Sequence, residues 1–348
     1  MKLKPGETLF RDESVFEPSY LPEDFLFRES QMKELRSCVL PAIKSGKPQN
    51  AFIFGRPATG KTTATKIFFA ALSEETNRIV TVHVNSHIYN THYRILGEIH
   101  KKIFGFVPPE TGLPVSALYD KVFSRLEKEN KSLIVALDDI NFYEAKQANE
   151  ILYDFLRAYE VFPKVKTAVW CITVRNELHR LDDKVRSTFV ANTIEFLPYR
   201  KEEMKQILKA RAIAGLSEGV VSDIMLEKIA GLSPDLRHGI ELLKKSAVLA
   251  ENDAQTKIAE RHVAEAAKSF EAPASSSLME DDIVLMDMLK RKSRESGELF
   301  EEFRGATGSS YATFYRALQK LKKKSLIDIS PIEKEKGRSS RISLKKKG

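Results

Sequence analysis

The chain has 348 residues, enough for two or three domains of ~100–200 residues each, with a formal net charge of +8 and only two cysteines, Cys38 and Cys171. Two cysteines in no metal-ligand spacing exclude a disulfide framework or a zinc site and read as buried apolar fillers. No apolar run approaches the ~18 residues a bilayer span needs, and the opening Met-Lys-Leu-Lys-Pro-Gly-Glu lacks the apolar core of a signal peptide, so a cytoplasmic protein with no membrane partner is expected.

From Pro48 to Pro198, strand-like apolar runs alternate with helical stretches: Ala51–Phe54, Ile79–Val84, Leu133–Leu137, Ala168–Val174 and Thr193–Phe196. That alternation predicts an α/β fold, a parallel sheet with helices on both faces, over residues 1–200. Between Lys201 and Ser269 the strand pattern disappears and helical periodicity runs through 202–214, 222–230, 236–252 and 259–269, which predicts a small all-helical domain over 201–270. The small-residue, polar stretch Phe270 to Ser277 reads as a linker. Beyond it, helices near 279–292, 299–303 and 309–323 precede two strands, 326–330 and 339–344, and three helices followed by a hairpin describe a winged helix over 278–348. The third helix carries one apolar stripe, Tyr311, Phe314, Tyr315, Leu318 and Leu321, expected in the core.

Charge is distributed unevenly. From Arg304 onward there are thirteen Lys and Arg against three acids, a net of +10, which leaves −2 for residues 1–303. A basic terminal winged helix points to nucleic acid, with Arg316, Lys320 and Lys323 off the apolar stripe and Lys336 and Arg338 at the wing tip as the candidate DNA contacts.

The segment Gly55-Arg56-Pro57-Ala58-Thr59-Gly60-Lys61-Thr62 fits the pattern G-x-x-x-x-G-K-[ST], follows a strand-like run and opens a helical stretch from Thr63. The chemistry requires that spacing because the loop wraps phosphates with backbone N–H groups, which side chains at Gly55 and Gly60 would obstruct. Lys61 would neutralise the β and γ phosphates, Thr62 would offer its hydroxyl to Mg²⁺, and the helix N-terminus would add its positive dipole end. The cofactors implied are ATP or ADP with Mg²⁺. Leu133-Ile-Val-Ala-Leu137-Asp138-Asp139 is an apolar strand ending in two acids, of which Asp138 is assigned to magnesium and Asp139 to polarising the attacking water. Asn176, after the strand Ala168–Val174, is a candidate γ-phosphate sensor, and Arg237, opening a helix of the small domain, is a candidate for reaching the phosphates from there. His83, His87, His92 and His100 lie close in sequence without carboxylate or cysteine partners in any convincing pattern and are read as non-metal.

The order of these parts, with Phe16-Glu-Pro-Ser-Tyr20-Leu21-Pro22-Glu, Arg28-Glu29-Ser-Gln31, Val84-Asn85 through Tyr93-Arg94, Leu181-Asp-Asp-Lys-Val-Arg186-Ser187-Thr188 and the wing's Lys336-Gly-Arg338, resembles the archaeal origin-recognition and cell-division-control initiators, AAA+ ATPases with a C-terminal winged helix. The resemblance covers nearly the whole chain. It implies that Tyr20, Leu21 and Arg28 lie near the adenine, that Tyr199 belongs to the nucleotide-binding set, and that Asn85–Lys102 carries a helical insertion that also touches DNA. Double-stranded origin DNA, paralogous initiator subunits and the replicative helicase are the partners implied. The chain departs from that pattern in having Asp138-Asp139 where Asp-Glu is usual, Asn141 where Asp is usual, and Lys184 at the interface arginine, with Arg186 two positions later. Lys cannot supply a bidentate fork to phosphate, so these differences imply slow hydrolysis, with ATP acting as a conformational clamp. A signalling or mobile-element ATPase whose winged helix contacts protein, and an ATP-dependent transcription regulator, are the alternative assignments.

Overall fold

A computed structural model describes residues 7–44, 46–109, 113–178, 181–270, 280–291, 293–323, 326–333 and 338–345. The chain forms two compact units, Met1–Ala264 and Glu265–Gly348.

In the first unit, α1 (Glu29–Ile43) precedes β1 (Asn50–Phe54), α2 (Lys61–Glu75), β2 (Ile79–Asn85), α3 (His92–Phe104), α4 (Val115–Lys128), β3 (Ser132–Asp138), α5 (Ala145–Leu156), β4 (Thr167–Thr173), α6 (Asp183–Thr188) and β5 (Ala191–Glu195). All five strands pair in parallel in the order β2-β3-β4-β1-β5. β3 and β4 are buried along their whole length, which is why they read as unbroken apolar runs rather than alternating ones. Two apolar layers cover the sheet. On one, Phe68 and Phe69 of α2 pack on the buried indole of Trp170 at ring separations of 5.6 and 5.1 Å; on the other, Phe123, Phe155 and Phe162 join the helices α4 and α5 to the strands. Two helices, α3 and α4, occupy the β2–β3 crossover, and the insertion that the resemblance implies for Asn85–Lys102 coincides with α3 alone.

Four further helices follow, α7 (Lys201–Gly215), α8 (Asp223–Leu232), α9 (Leu236–Asn252) and α10 (Glu260–Phe270), within one or two residues of the expected bounds. Their starts are capped as the sequence directs: Ser222 accepts from the Met225 amide and Asp235 from the His238 amide. An N-terminal strap, residues 8–17, runs along these helices. The Arg11 and Asp12 amides both donate to the Gly215 carbonyl, the Ser217 amide donates to the Leu9 carbonyl, and Lys244 bridges Glu13 and Glu17 at 3.0 and 2.7 Å. The Phe16 ring seats against Gly215, where a Cβ would meet Phe16 Cε2 at 2.5 Å, so that position requires glycine for want of space.

The second unit contains α11 (Glu280–Arg291), β6 (Arg294–Glu295), α12 (Ser296–Thr307), α13 (Tyr311–Lys323), β7 (Ile327–Glu333) and β8 (Arg338–Leu344), with an antiparallel sheet β6-β8-β7. This is the expected winged helix with two differences. α12 is longer than the 299–303 expected, and β6, two residues long, carries too little pattern to be read. The buried arc of α13 is Phe314, Ala317, Leu318 and Leu321, whereas Tyr311 and Tyr315 are exposed. At about 100° per residue, Ala317 shifts the packed face away from the two tyrosines, which therefore do not belong to the core stripe. The linker positions 271–277 lie outside the described residues.

Replacing Phe16 by Ala should remove about 3–5 kcal/mol of packing. Hydrogen-exchange protection of the Arg11 and Asp12 amides is expected to fall by about a hundredfold or more, while that of β3 amides stays unchanged.

Candidate nucleotide-binding site

A cleft of about 850 Å³ separates the sheet's loop edge from the lid helices, and its walls differ in chemistry. Its lining combines Pro57 to Thr63, Asp138, Asp139 and Arg237 with an apolar set, Tyr20, Pro22, Phe25, Ile207, Ala210, Ile213 and Ile240. Such a cavity fits a charged phosphate tail beside a flat apolar base.

The loop between β1 and α2 takes its shape from two glycines. Gly55 has φ +153°, and a Cβ there would come within 2.2 Å of the Phe196 carbonyl oxygen. Gly60, the N-cap of α2, has φ +92°. The first turn of α2 thus opens on the cleft with its amide groups, the arrangement that binds phosphate. Lys61 Nζ donates to the Gly55 and Arg56 carbonyls at 2.6 and 2.9 Å. Burial lowers its pKa, opposed by the charges of Asp138 and Asp139 and reinforced by Arg237. Arg237, at the start of α9, therefore shares an electrostatic environment with Lys61 even though the two lie on different layers.

Thr62 Oγ1 donates to Asp138 Oδ2 at 2.7 Å, and His83 Nε2 lies 2.9 Å from the same oxygen. Burial works to raise the Asp138 pKa, but the hydrogen bonds from His83 and Thr62 outweigh it and hold the carboxyl below its usual range. Asp139 sits in left-handed backbone at φ 57° and faces the half-exposed His87, 3.8 Å away. Thr62 and Asp138 offer two hard oxygen donors in contact, the chemistry suited to magnesium.

The other sequence candidates are distributed unevenly. Tyr20, Tyr199 and Thr63 line the cleft. Arg28 is buried behind it, donating to the Thr59 and Leu197 carbonyls at 3.0 and 2.7 Å with its guanidinium 3.7 Å from the Tyr199 ring centre, so it braces the loop. Leu21 faces a lateral groove with Lys66, Phe69 and Lys101. Asn176 is exposed and its side-chain Oδ1 accepts from the Leu178 amide at 3.4 Å; at that strand end it is Val174 that reaches the cleft, while the Thr173 hydroxyl donates to Asn141 Oδ1. Arg186 is paired with Asp183. In the second unit, Lys320 is paired with the buried Asp282 of α11, Arg316 is exposed, and Lys336 with the side chains of Lys323 and Arg338 lie outside the described residues.

Two groups, one behind the cleft and one lining it, were not legible as site residues. His83 reaches Asp138 only because β2 and β3 pair in the register that sets His83 beside Ala136 and Asn85 beside Asp138. Arg211 of α7 lines the cleft, donating to the Val15 carbonyl at 2.6 Å with its guanidinium 4.4 Å from the Tyr20 ring centre.

A parallel sheet in this order, a phosphate loop after β1, paired acids after β3 and a helical lid bearing an arginine define a AAA+ nucleotide-binding protein. Comparison with known proteins narrows this. Residues 205–268 match the Cdc6 AAA+ ATPase-type lid domain. The chain is 41% identical over 334 residues to ORC1-type DNA replication protein 2 of Methanothermobacter thermautotrophicus, covering 92% of this chain and 88% of that one. The fold resembles the Aeropyrum pernix ORC1 protein in complex with DNA, with a TM-score of 0.78 at 24% identity over 96% of this chain and 93% of that one. It also resembles the Aeropyrum pernix ORC2 protein in ADPNP–ADP complexes, with a TM-score of 0.68 at 22% identity over 97% and 94%. The chain belongs to the ORC1-type DNA replication protein family.

Lys61→Ala should abolish ATP binding while the protein stays folded, with a modest fall in melting temperature from the loss of its hydrogen bonds to the Gly55 and Arg56 carbonyls. A fluorescent-nucleotide titration checks this. Retained affinity would refute the loop assignment.

Proposed function

We propose that this chain is an ATP-binding DNA replication initiator, cytoplasmic and built of a nucleotide-binding domain (1–200), a helical lid (201–270) and a winged-helix domain (278–348). It recognises double-stranded origin DNA, acts with paralogous initiator subunits and helps to recruit the replicative helicase. The observation that carries this reading is the cleft that sets Lys61, Thr62, Asp138 and Asp139 on the sheet side opposite Arg237 on the lid side. Among the described residues no helix is long and apolar enough to cross a membrane.

The chain's own residues divide the work. The loop amides and Lys61 bind the phosphates, Arg237 reports their presence to the lid, and the apolar wall of strap and α7 receives the base. Magnesium, when bound through Thr62 and Asp138, neutralises phosphate charge. Asp139 orients water. Aspartate is shorter than glutamate by one methylene, and a displacement on the order of 1 Å can cost about a hundredfold in rate, so ATP serves as a slow switch between two settings of sheet and lid.

DNA contact is assigned to the C-terminal unit. Arg316, Lys323, Lys336 and Arg338 remain as the phosphate contacts once Lys320 is discounted for its pairing with buried Asp282. Four contacts predict a log–log salt slope of about −3.6, at ~0.9 per phosphate. Deleting 279–348 should leave ATP affinity near normal and greatly weaken duplex binding in a fluorescence anisotropy titration. Equal affinity in the truncated chain would move the DNA site to the first unit, and preference for a promoter over the host's origin would favour a transcription regulator.

Asp139→Glu is expected to raise single-turnover hydrolysis, by up to about a hundredfold, while Asp139→Asn removes residual activity and leaves ATP bound. Rapid wild-type turnover that Asp139→Asn leaves unchanged would exclude Asp139 as the group that orients water.

A further inference from the structure

Asp138 Oδ2 is met by two donors from different elements. The Thr62 hydroxyl comes from the first turn of α2 at 2.7 Å, and His83 Nε2 comes from the neighbouring strand at 2.9 Å. An ionised carboxylate only accepts, so the His83 nitrogen facing it is the one that carries hydrogen. The pair is enclosed, with side chains 15% and 7% exposed. Both donors act on the same oxygen, but they differ in what else they do. Thr62 is itself a candidate magnesium ligand, so its bond to Asp138 is not independent of the ion. His83 is not a candidate ligand; its bond is therefore the one that can orient the carboxylate whether or not Thr62 is engaged elsewhere.

The backbone supports this division. β2 and β3 pair from Ile79↔Ser132 to Asn85↔Asp138, a parallel register that leaves His83 two positions before the residue opposite Asp138. Side chains two apart on a strand share a face, so His83 stands on the same face as Asn85, and its long imidazole covers the distance that a shorter side chain there would not. β2 is the edge of the sheet, so no further strand supports Asp138 from that side.

We propose that His83 is a positioning residue for Asp138, fixing the carboxylate for magnesium-dependent nucleotide binding, an inference that rests on the reading of Asp138 as a magnesium ligand. Hydrogen-bond partners that orient a metal-binding side chain typically contribute about 10- to 100-fold in metal affinity. The role is confined to the metal-dependent part of binding. His83 lies outside the residues that line the cleft, so nucleotide bound without the ion should not sense its loss.

The test titrates magnesium into purified full-length protein with fluorescent ATP and repeats the nucleotide titration in EDTA, for wild type, His83→Ala, His83→Gln, His83→Leu and Asp138→Asn. His83→Ala and His83→Leu are expected to raise the magnesium half-saturation by about 10- to 100-fold, with affinity in EDTA unchanged within about twofold. His83→Gln, whose amide can donate from a similar reach, should recover most of the loss. Leucine fills the space without donating, so a Leu variant that behaves as wild type, or a loss of equal size with and without magnesium, overturns the proposal in favour of a packing role. If Asp138→Asn raises the half-saturation and the His83 variants do not, the positioning role fails and the metal site stands. If Asp138→Asn also has no effect, the reading of Asp138 as a ligand fails with it. Should His83→Ala not fold, the comparison of Gln with Leu decides alone.

Discussion

The N-terminal segment 8–28, the strap together with the stretch that leads from it to α1, is held at both ends, and the cleft depends on that constraint. Its first half is sewn to the lid by main-chain bonds to Gly215 and Ser217, by the Phe16 ring against Gly215 and by Lys244 between Glu13 and Glu17. Its far end is anchored to the phosphate loop through Arg28 and the Thr59 carbonyl. Between these anchors, Tyr20, Pro22, Phe25 and Leu26 line the cleft. A change in the angle between lid and sheet must be absorbed in the stretch after Glu17, where Phe27 already adopts left-handed backbone at φ 61°. The residues that would contact a base are thus the residues that must move when the lid moves.

At the phosphate end it is burial that disfavours the Lys61 ammonium: the attraction of Asp138 and of Asp139 each exceeds the like-charge repulsion from Arg237 across the cleft. A polyphosphate placed between sheet and lid would bring both cations to one ligand, and the resulting attraction would draw the lid inward. Asp138 is held ionised by His83 and Thr62 despite its burial, which keeps an oxygen ligand ready beside the loop. The same pairing limits motion at the end of β3.

Much of this was legible from residue order. The five strands lie within one or two residues of the apolar runs, most plainly β3 and β4, which are buried along their whole length and so carry unbroken apolar runs. The glycine spacing of the loop announced itself for a similar reason, since the Phe196 carbonyl leaves no room for a Cβ at Gly55. The strap was not legible because its bonds run largely through backbone groups to residues some two hundred positions away. His83 was missed because its partner is fixed by strand register, and Arg28 was placed with the base although each of its three guanidinium nitrogens donates to a backbone carbonyl. Tyr311 and Tyr315 share the helical period of the core stripe, but Ala317 turns the packed face away from them.

A nucleotide that locks sheet to lid must leave slowly. The most direct measurement is the release rate of fluorescent ADP from the full-length protein, chased with excess unlabelled ATP and followed by stopped flow. Release is expected well below about 1 per second, the lower end of ordinary enzyme turnover, and faster when Arg211, which joins α7 to Val15 of the strap and to Tyr20, is replaced by Ala. Wild-type release at tens per second, unchanged by Arg211→Ala, would contradict a lid and strap that hold the nucleotide.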